Sequence, residues 1–221
     1  MNERSCVIFD FGGVITASPF EAFRAMEEER GLPRDLVRRI NATNPDTNAW
    51  ARFERGEIDE DRFDELFGDE ARALGHELPG RDVLARLAGD LRPRMVTALD
   101  RLTDRGYRLG CITNNMPSGH GAQMSRSTEA ADAIADVMKR FGHVVESSRA
   151  GVRKPDPRVY EMACAALGVE PGTCVYLDDL GINCKPAAAL GMVAIKVTGE
   201  EQALADLETA LDLAEGTLAA S

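Results

Sequence analysis

The chain has 221 residues, with 26 Lys and Arg against 37 Asp and Glu and a formal net charge of −11. That length supports a full hydrophobic core in one large domain or in one domain with a smaller one inserted, and 44% hydrophobic with 29% charged residues excludes wholesale disorder. The acidic balance argues against a nucleic-acid backbone or an anionic membrane as partner, and leaves room for a small phosphate in a locally cationic site.

The chain opens on Cys6-Val7-Ile8-Phe9, a continuous apolar run ended by Asp10 and the Gly12-Gly13 pair. Such a run predicts a strand buried on both faces of a parallel sheet. Ser18-Pro19-Phe20-Glu21 reads as a capping box with proline at the first helical position, and Phe20, Phe23 and Met26 then recur at helical spacing up to Gly31. Further helices are predicted over 34–41, 60–74 and 83–88, with no strand among them. Apolar runs return at 109–113, 174–177 and 193–197, with a weaker one at Val144-Val145. Helical stretches separate these runs, and Gly106, Gly168 and Gly191 stand near the helix-to-strand junctions. Residues 200–215 predict an acidic amphipathic helix with Leu204, Leu207 and Leu211 on one face. Strands alternating with helices predict an α/β fold with a parallel sheet and right-handed crossovers. The strand-free stretch predicts a helical module at 17–91, inserted after the first strand into a core formed by 1–16 and 92–221.

Cys6, Cys111, Cys164, Cys174 and Cys184 show no zinc-ribbon or thioredoxin spacing; Cys6, Cys111 and Cys174 lie among aliphatic residues as core positions. The odd count and the lack of a secretory leader predict reduced thiols and a cytoplasmic protein. No apolar run approaches the ~18–20 residues that cross a bilayer.

Polar groups gather just after the predicted strands. Asp10 follows the first, Thr113-Asn114-Asn115 the second and Asp178-Asp179 the fourth, while Lys154 stands in Gly151-Val152-Arg153-Lys154-Pro155-Asp156 before a helix. Each has a bland reading as a turn, a cap or a solvated loop residue. Together they mark the carboxyl ends of parallel strands, where such sheets form their ligand crevice.

In these residues the sequence resembles the haloacid dehalogenase superfamily. The resemblance rests on Ile8-Phe9-Asp10-Phe11-Gly12-Gly13-Val14-Ile15, Ile112-Thr113-Asn114-Asn115, Lys154-Pro155-Asp156 and Tyr176-Leu177-Asp178-Asp179-Leu180-Gly181-Ile182-Asn183, in that order along nearly the whole chain. The last stretch, continued through Met192, looks like the phosphatase domain of soluble epoxide hydrolase and like domains fused to some acyl-CoA dehydrogenase-like proteins. The resemblance implies a Rossmann-like core with a helical cap at 17–91. It implies Asp10 as a nucleophile that forms an aspartyl-phosphate. It implies Mg²⁺ as cofactor, held by Asp10, Asp179 and the Gly12 carbonyl with Asp178 in or beside the shell. Lys154 would contact Asp10 and the phosphoryl group, with Thr113, the Asn114 backbone and Gly13 contacting the phosphoryl oxygens. The implied partner is a small phosphorylated molecule, with neither nucleic acid nor membrane, for a monomer or homodimer.

At one place the sequence departs from the family. Phosphatases of this kind usually carry a second Asp two residues after the nucleophile, to protonate the leaving oxygen and activate water. Gly12 occupies that position and has no side chain. That leaves a substrate with a good leaving group, such as an acyl or anomeric phosphate, or a proton supplied by the cap or a water. The rival from another class is a non-catalytic binding domain with a degenerate site. Haloacid dehalogenation tolerates Gly12 but has no use for the Asp178-Asp179 pair, and the aromatic residue that dehalogenases carry at this position is missing. Phosphonate cleavage requires a cap lysine, and 17–91 contains none. His120, in a glycine-rich loop, is a minor candidate proton donor. Trp50 and Phe53 read as cap core or as the lining of a substrate pocket. One cap arginine could meet a substrate anion.

Overall fold

Cys6–Phe9 forms β1, and every one of its residues is buried. The cause lies on its two faces. Val7 and Phe9 pack with α6 (Pro93–Asp104) and α11 (Glu200–Ala210); Cys6 and Ile8 pack with α9 (Pro157–Leu167) and α10 (Gly181–Ala189). A strand covered on both sides needs apolar residues throughout. The structure is a computed structural model that describes residues 4–87, 89–115 and 128–218.

The other strands are β2 (Arg108–Thr113), β3 (His143–Glu146), β4 (Cys174–Asp178) and β5 (Val193–Lys196). All pairings are parallel, in the order β3-β2-β1-β4-β5. The sheet is therefore the α/β arrangement read from the sequence, and Val144-Val145 is a full member of it. Two further helices complete this part: α7 (Thr128–Met138) and the single turn α8 (Ser147–Ala150).

Between β1 and β2 lie α1 (Pro19–Glu29), α2 (Leu36–Ala42), α3 (Ala49–Glu54), α4 (Glu60–Ala73) and α5 (Gly80–Leu84). They have an apolar core of their own, built on Phe23, Met26, Leu36, Ile40, Phe53, Phe63 and Phe67. Phe53 and Phe63 stack with ring centroids 4.8 Å apart. The chain leaves and re-enters the sheet region side by side, since Thr16 and Leu91 form an antiparallel bridge. Arg92 N–H donates to Ile15 C=O at 2.9 Å and Ala17 N–H to Asp90 C=O at 2.8 Å.

Three local expectations shift. Helix α3 has no counterpart among the predicted helices. It is six residues long, too short to display a period of 3.6, and is set by Asn48, whose side-chain oxygen accepts from Ala51 N–H at 2.8 Å. Helix α5 covers 80–84 rather than 83–88. Helix α11 ends at 210 rather than 215, because the buried Glu208 carboxylate accepts from Gly216 N–H (2.9 Å) and Leu218 N–H (2.6 Å) and turns the tail back. No helix among the described residues is long and apolar enough to cross a membrane.

Candidate active site

The parallel register sets Phe9 beside Cys111 on one flank and Leu177 on the other, so the residues that follow meet at one edge of the sheet. Asp10 N–H donates to Leu177 C=O at 2.8 Å, which fixes the nucleophile candidate beside Asp178. Lys154 is 1% exposed, and its Nζ lies 2.7 Å from Asp10 Oδ1 and 2.9 Å from Asp178 Oδ2. Asp10 Oδ1 also accepts from Phe11 N–H at 2.7 Å. Both of these contacts fall on Oδ1 and neither engages Asp10 Oδ2.

Asp178 is wholly buried, and both its oxygens are occupied. Oδ1 accepts from Leu180 N–H (2.8 Å) and Asn183 Nδ2 (3.0 Å); Oδ2 accepts from Lys154 and from the Tyr176 hydroxyl at 2.5 Å. Tyr160, whose hydroxyl donates to Asn183 C=O at 2.7 Å, backs this arrangement. Asp178 thus orients Lys154 and has little capacity left for a metal. Asp179 is less committed: its Oδ2 accepts from the Ser18 hydroxyl at 3.1 Å. Ser18 does not cap α1 with its side chain, so the expected capping box is absent. The carboxylate across the crevice competes for that hydroxyl.

The residues fit a divalent cation of hard character. Oxygens of Asp10, Asp178 and Asp179 all lie within 4.8 Å of one another. Three carboxylates gather beside one ammonium that touches two of them, with Arg92 acting on Asp179, and a divalent cation offsets the excess negative charge. Burial pushes the Asp10 carboxyl well up despite the pull of Lys154, and Asp178 and Asp179 push it the same way. Burial likewise raises Asp179, helped by Asp178 and opposed by the Ser18 bond. Burial alone would lower Lys154, but Asp10 and Asp178 outweigh it and hold the ammonium above its ordinary range. An all-oxygen ligand set of this charge suits Mg²⁺.

The two glycines differ. Gly13 has φ +79°, and a Cβ there would collide with the Asp179 carboxylate. Only glycine combines that backbone with that approach. Gly13→Ala is therefore expected to weaken Mg²⁺ binding at least about tenfold in calorimetry, through displacement of Asp179. Unchanged affinity would show that Asp179 is not a ligand. A Cβ on Gly12, by contrast, meets nothing within 4 Å.

Thr113 ends β2, and Asn114 follows it. The Asn114 amide is committed to Lys154: Oδ1 accepts from Lys154 N–H at 2.8 Å and Nδ2 donates to Lys154 C=O at 3.1 Å. Its backbone is the part left for a ligand. Asn115 ties down the start of α8, donating to Glu146 Oε1 at 2.8 Å and accepting from Ser148 Oγ at 2.9 Å. The helical module adds Glu54, which sequence reasoning missed. It is buried, with Oε2 2.6 Å from Arg153 Nε and Oε1 accepting from Trp50 Nε1 at 2.8 Å. Trp50 and Phe53 belong to the module's core, packed on Phe63. A hollow of about 490 Å³, lined by Arg24, Glu27, Glu28, Leu32 and Arg34, contains none of the site residues. His120 lies outside the described residues.

The description of haloacid dehalogenase-like hydrolases matches residues 5–191. The chain belongs to that family. It is 31% identical over 210 residues to acyl-CoA dehydrogenase family member 10 of Mus musculus, covering 93% of this chain and 19% of the relative. It is 28% identical to bifunctional epoxide hydrolase 2 of Mus musculus, over 90% of this chain and 37% of the relative. The chain thus spans well under half of these two proteins. A phosphatase of Mycobacterium tuberculosis is 31% identical, with 87% of each chain covered. Among solved structures, a HAD family enzyme of Bacteroides thetaiotaomicron in complex with magnesium and inorganic phosphate superposes with a TM-score of 0.58 at 17% identity, covering 87% of this chain and 93% of that one. This hydrolase of the haloacid dehalogenase superfamily has phosphatases among its relatives, and its sheet has the family's fold.

Proposed function

We propose that the chain is a Mg²⁺-dependent phosphatase acting on a small phosphate monoester or an acyl or anomeric phosphate. The observation that carries the reading is the Lys154 ammonium shared between Asp10 and the fully buried Asp178, with Asp179 at the same sheet edge. A structural role alone gives no reason to bury a lysine between two carboxylates with a third beside them, since apolar groups fill such space at lower cost. That also speaks against a degenerate binding domain.

Asp10 attacks phosphorus, the bond from phosphorus to the leaving oxygen breaks, and an aspartyl-phosphate forms on the carboxylate. Water then attacks phosphorus, the bond from phosphorus to the Asp10 oxygen breaks, Asp10 leaves as a carboxylate, and the water's protons pass to the phosphate and to solvent. Lys154 offsets the charge of Asp10 and of the phosphoryl group, and Asp178 fixes the direction of that ammonium. Thr113, the Asn114 N–H and the Gly13 backbone bond the phosphoryl oxygens as charge spreads over them. Asp10, Asp179 and the Gly12 carbonyl would hold Mg²⁺, with Asp178 beside them; when bound, the ion supplies the positive charge that lets one anion approach another. Residues 17–91 act as a cap that excludes water and selects the substrate. The working form is a cytoplasmic monomer or homodimer whose partner is a small molecule, not nucleic acid or membrane.

The test is hydrolysis of p-nitrophenyl phosphate and acetyl phosphate with and without Mg²⁺, then a screen over sugar, lipid and nucleotide phosphates. Metal-dependent turnover is expected, and its absence on all of these refutes the reading. Asp179→Ala is expected to abolish metal dependence and to lower kcat by about 10² or more. Unaltered Mg²⁺ binding in that variant, read by calorimetry, contradicts the assignment of Asp179.

A further inference from the structure

We propose that Glu54 of the cap positions Lys154 for the reaction, acting through the side-chain amide of Asn114. The inference rests on the phosphatase reading for its kinetic part and on geometry for the rest. Asn114 closes a ring of two hydrogen bonds around the Lys154 backbone, 2.8 Å to its N–H and 3.1 Å to its C=O. That ring requires one orientation of the amide, oxygen toward the N–H and nitrogen toward the C=O. Reversing it would set acceptor against acceptor and donor against donor.

Glu54 selects the orientation. Its Oε2 lies 3.3 Å from Asn114 Nδ2, and a carboxylate accepts but does not donate, so only the nitrogen of the amide can face it. The carboxylate is itself fixed by Trp50 Nε1 at 2.8 Å and the Arg153 guanidinium at 2.6 Å. Arg153 precedes Lys154 and also donates to Pro45 C=O of the cap at 3.0 Å. The Glu54 carbonyl accepts from the Ser147 hydroxyl at 2.5 Å. Two consecutive residues, Arg153 and Lys154, are thus held by the cap, the second through Asn114. The lysine at the far end of this chain points its ammonium between Asp10 and Asp178. A contact that only glues the cap to the core would work with apolar side chains and would not need a buried carboxylate.

The experiment reads the lysine directly. Reductive methylation with formaldehyde and a borane, followed by mass spectrometry, compares Lys154 with the exposed Lys139, Lys185 and Lys196 of the same molecule. In Glu54→Gln and in Asn114→Ala, Lys154 is expected to react at least about tenfold faster than in the parent, with the other three unchanged. The double variant is expected to exceed the faster single by less than about threefold, because residues acting in one chain are not additive. Mg²⁺-dependent turnover of p-nitrophenyl phosphate is expected to lose at least about tenfold in kcat with KM changed by less than about threefold, again without multiplication in the double variant. Parental labelling of Lys154 in Glu54→Gln overturns the inference whether or not the chain hydrolyses phosphates. So do an unchanged kcat and losses that multiply. A parent that hydrolyses no phosphate refutes the phosphatase reading, and labelling alone then decides the positioning. If Glu54→Gln does not melt cooperatively, Glu54→Asp carries the same expectations: it keeps a carboxylate in the cap and draws the oxygen shared by Asn114 and Arg153 back from Asn114 Nδ2.

Discussion

Asp10→Asn is expected to lower kcat on every phosphate ester by at least about 10⁴, the scale seen when a nucleophile that anchors a catalytic unit is removed. An amide has no free anionic oxygen to attack phosphorus, so no covalent intermediate forms. The fold should not suffer. Asn keeps the shape of Asp, its Oδ1 can still accept from Lys154 and from Phe11 N–H, and Lys154 retains Asp178. One of three crowded carboxylates becomes neutral, at a position where burial already disfavours the charge. The variant is therefore expected to melt no lower than the parent in the presence of a chelator. Acid quench and mass spectrometry of Asp10 during turnover give the companion measurement. The parent should carry one phosphoryl group on this residue, and Asp10→Asn none. Turnover in ¹⁸O-water separates this chemistry from dehalogenation. Water attacking phosphorus leaves Asp10 unlabelled, whereas water attacking the carboxyl carbon of an alkyl ester would put the label into Asp10. Residual activity near the parent's in Asp10→Asn would move the nucleophile elsewhere.

The parts of this site that were legible in the sequence are those generated by local pattern. A strand buried on both faces must be a short apolar run, and the first polar residue after it stands at the open edge of the sheet. Asp10, Thr113 and the Asp178-Asp179 pair are marked in this way by β1, β2 and β4. Lys154 was legible through its motif, and the resemblance set it against Asp10, but its second partner, Asp178 at the end of β4, is given only by the fold. The helical module gave fewer signals. Helix α3 is six residues long and Glu54 is its last, so nothing near it in sequence marks a carboxylate destined for burial against Asn114 and Arg153. Ser18 departs from its local pattern for the same kind of reason. Ser-Pro-x-Glu favours a capping box locally, and the Asp179 carboxylate, 161 residues away, takes the hydroxyl instead. The resemblance sets Asp179 among the metal ligands and Asp178 in or beside the shell; what the sequence does not show is the set of bonds from Tyr176, Asn183 and Leu180 N–H that occupies Asp178.

Gly12 is expected to leave its mark on the choice of substrate. Without a side-chain acid at that position, the leaving oxygen must bear its own developing charge, so rates should rise steeply as leaving-group pKa falls. Aryl phosphates with acidic phenols should react well, and simple alkyl phosphates should scarcely react. General acid catalysis is typically worth about 10²–10⁴ in rate. Gly12→Asp is therefore expected to raise kcat on an alkyl phosphate by about 10² or more and to change p-nitrophenyl phosphate by less than about tenfold. The backbone permits the experiment. Gly12 lies outside the left-handed region that favours glycine, and a Cβ added there meets nothing within 4 Å, so an unstrained side chain can enter the crevice. The neighbouring Gly13, at φ +79° against Asp179, would not allow the same change. Gly12→Ala separates the effect of bulk from the effect of acid: it adds the Cβ without the carboxyl and should leave the dependence on leaving group as steep as in the parent. A flat dependence in the parent has two explanations, a proton delivered by another group or a limiting step after phosphoryl transfer. Single-turnover measurement of aspartyl-phosphate formation distinguishes them. If that step too is insensitive to the leaving group, a donor other than residue 12 protonates it. If that step is steep while steady-state turnover is flat, the missing acid is felt in phosphoryl transfer to Asp10, and hydrolysis of the intermediate sets the overall rate.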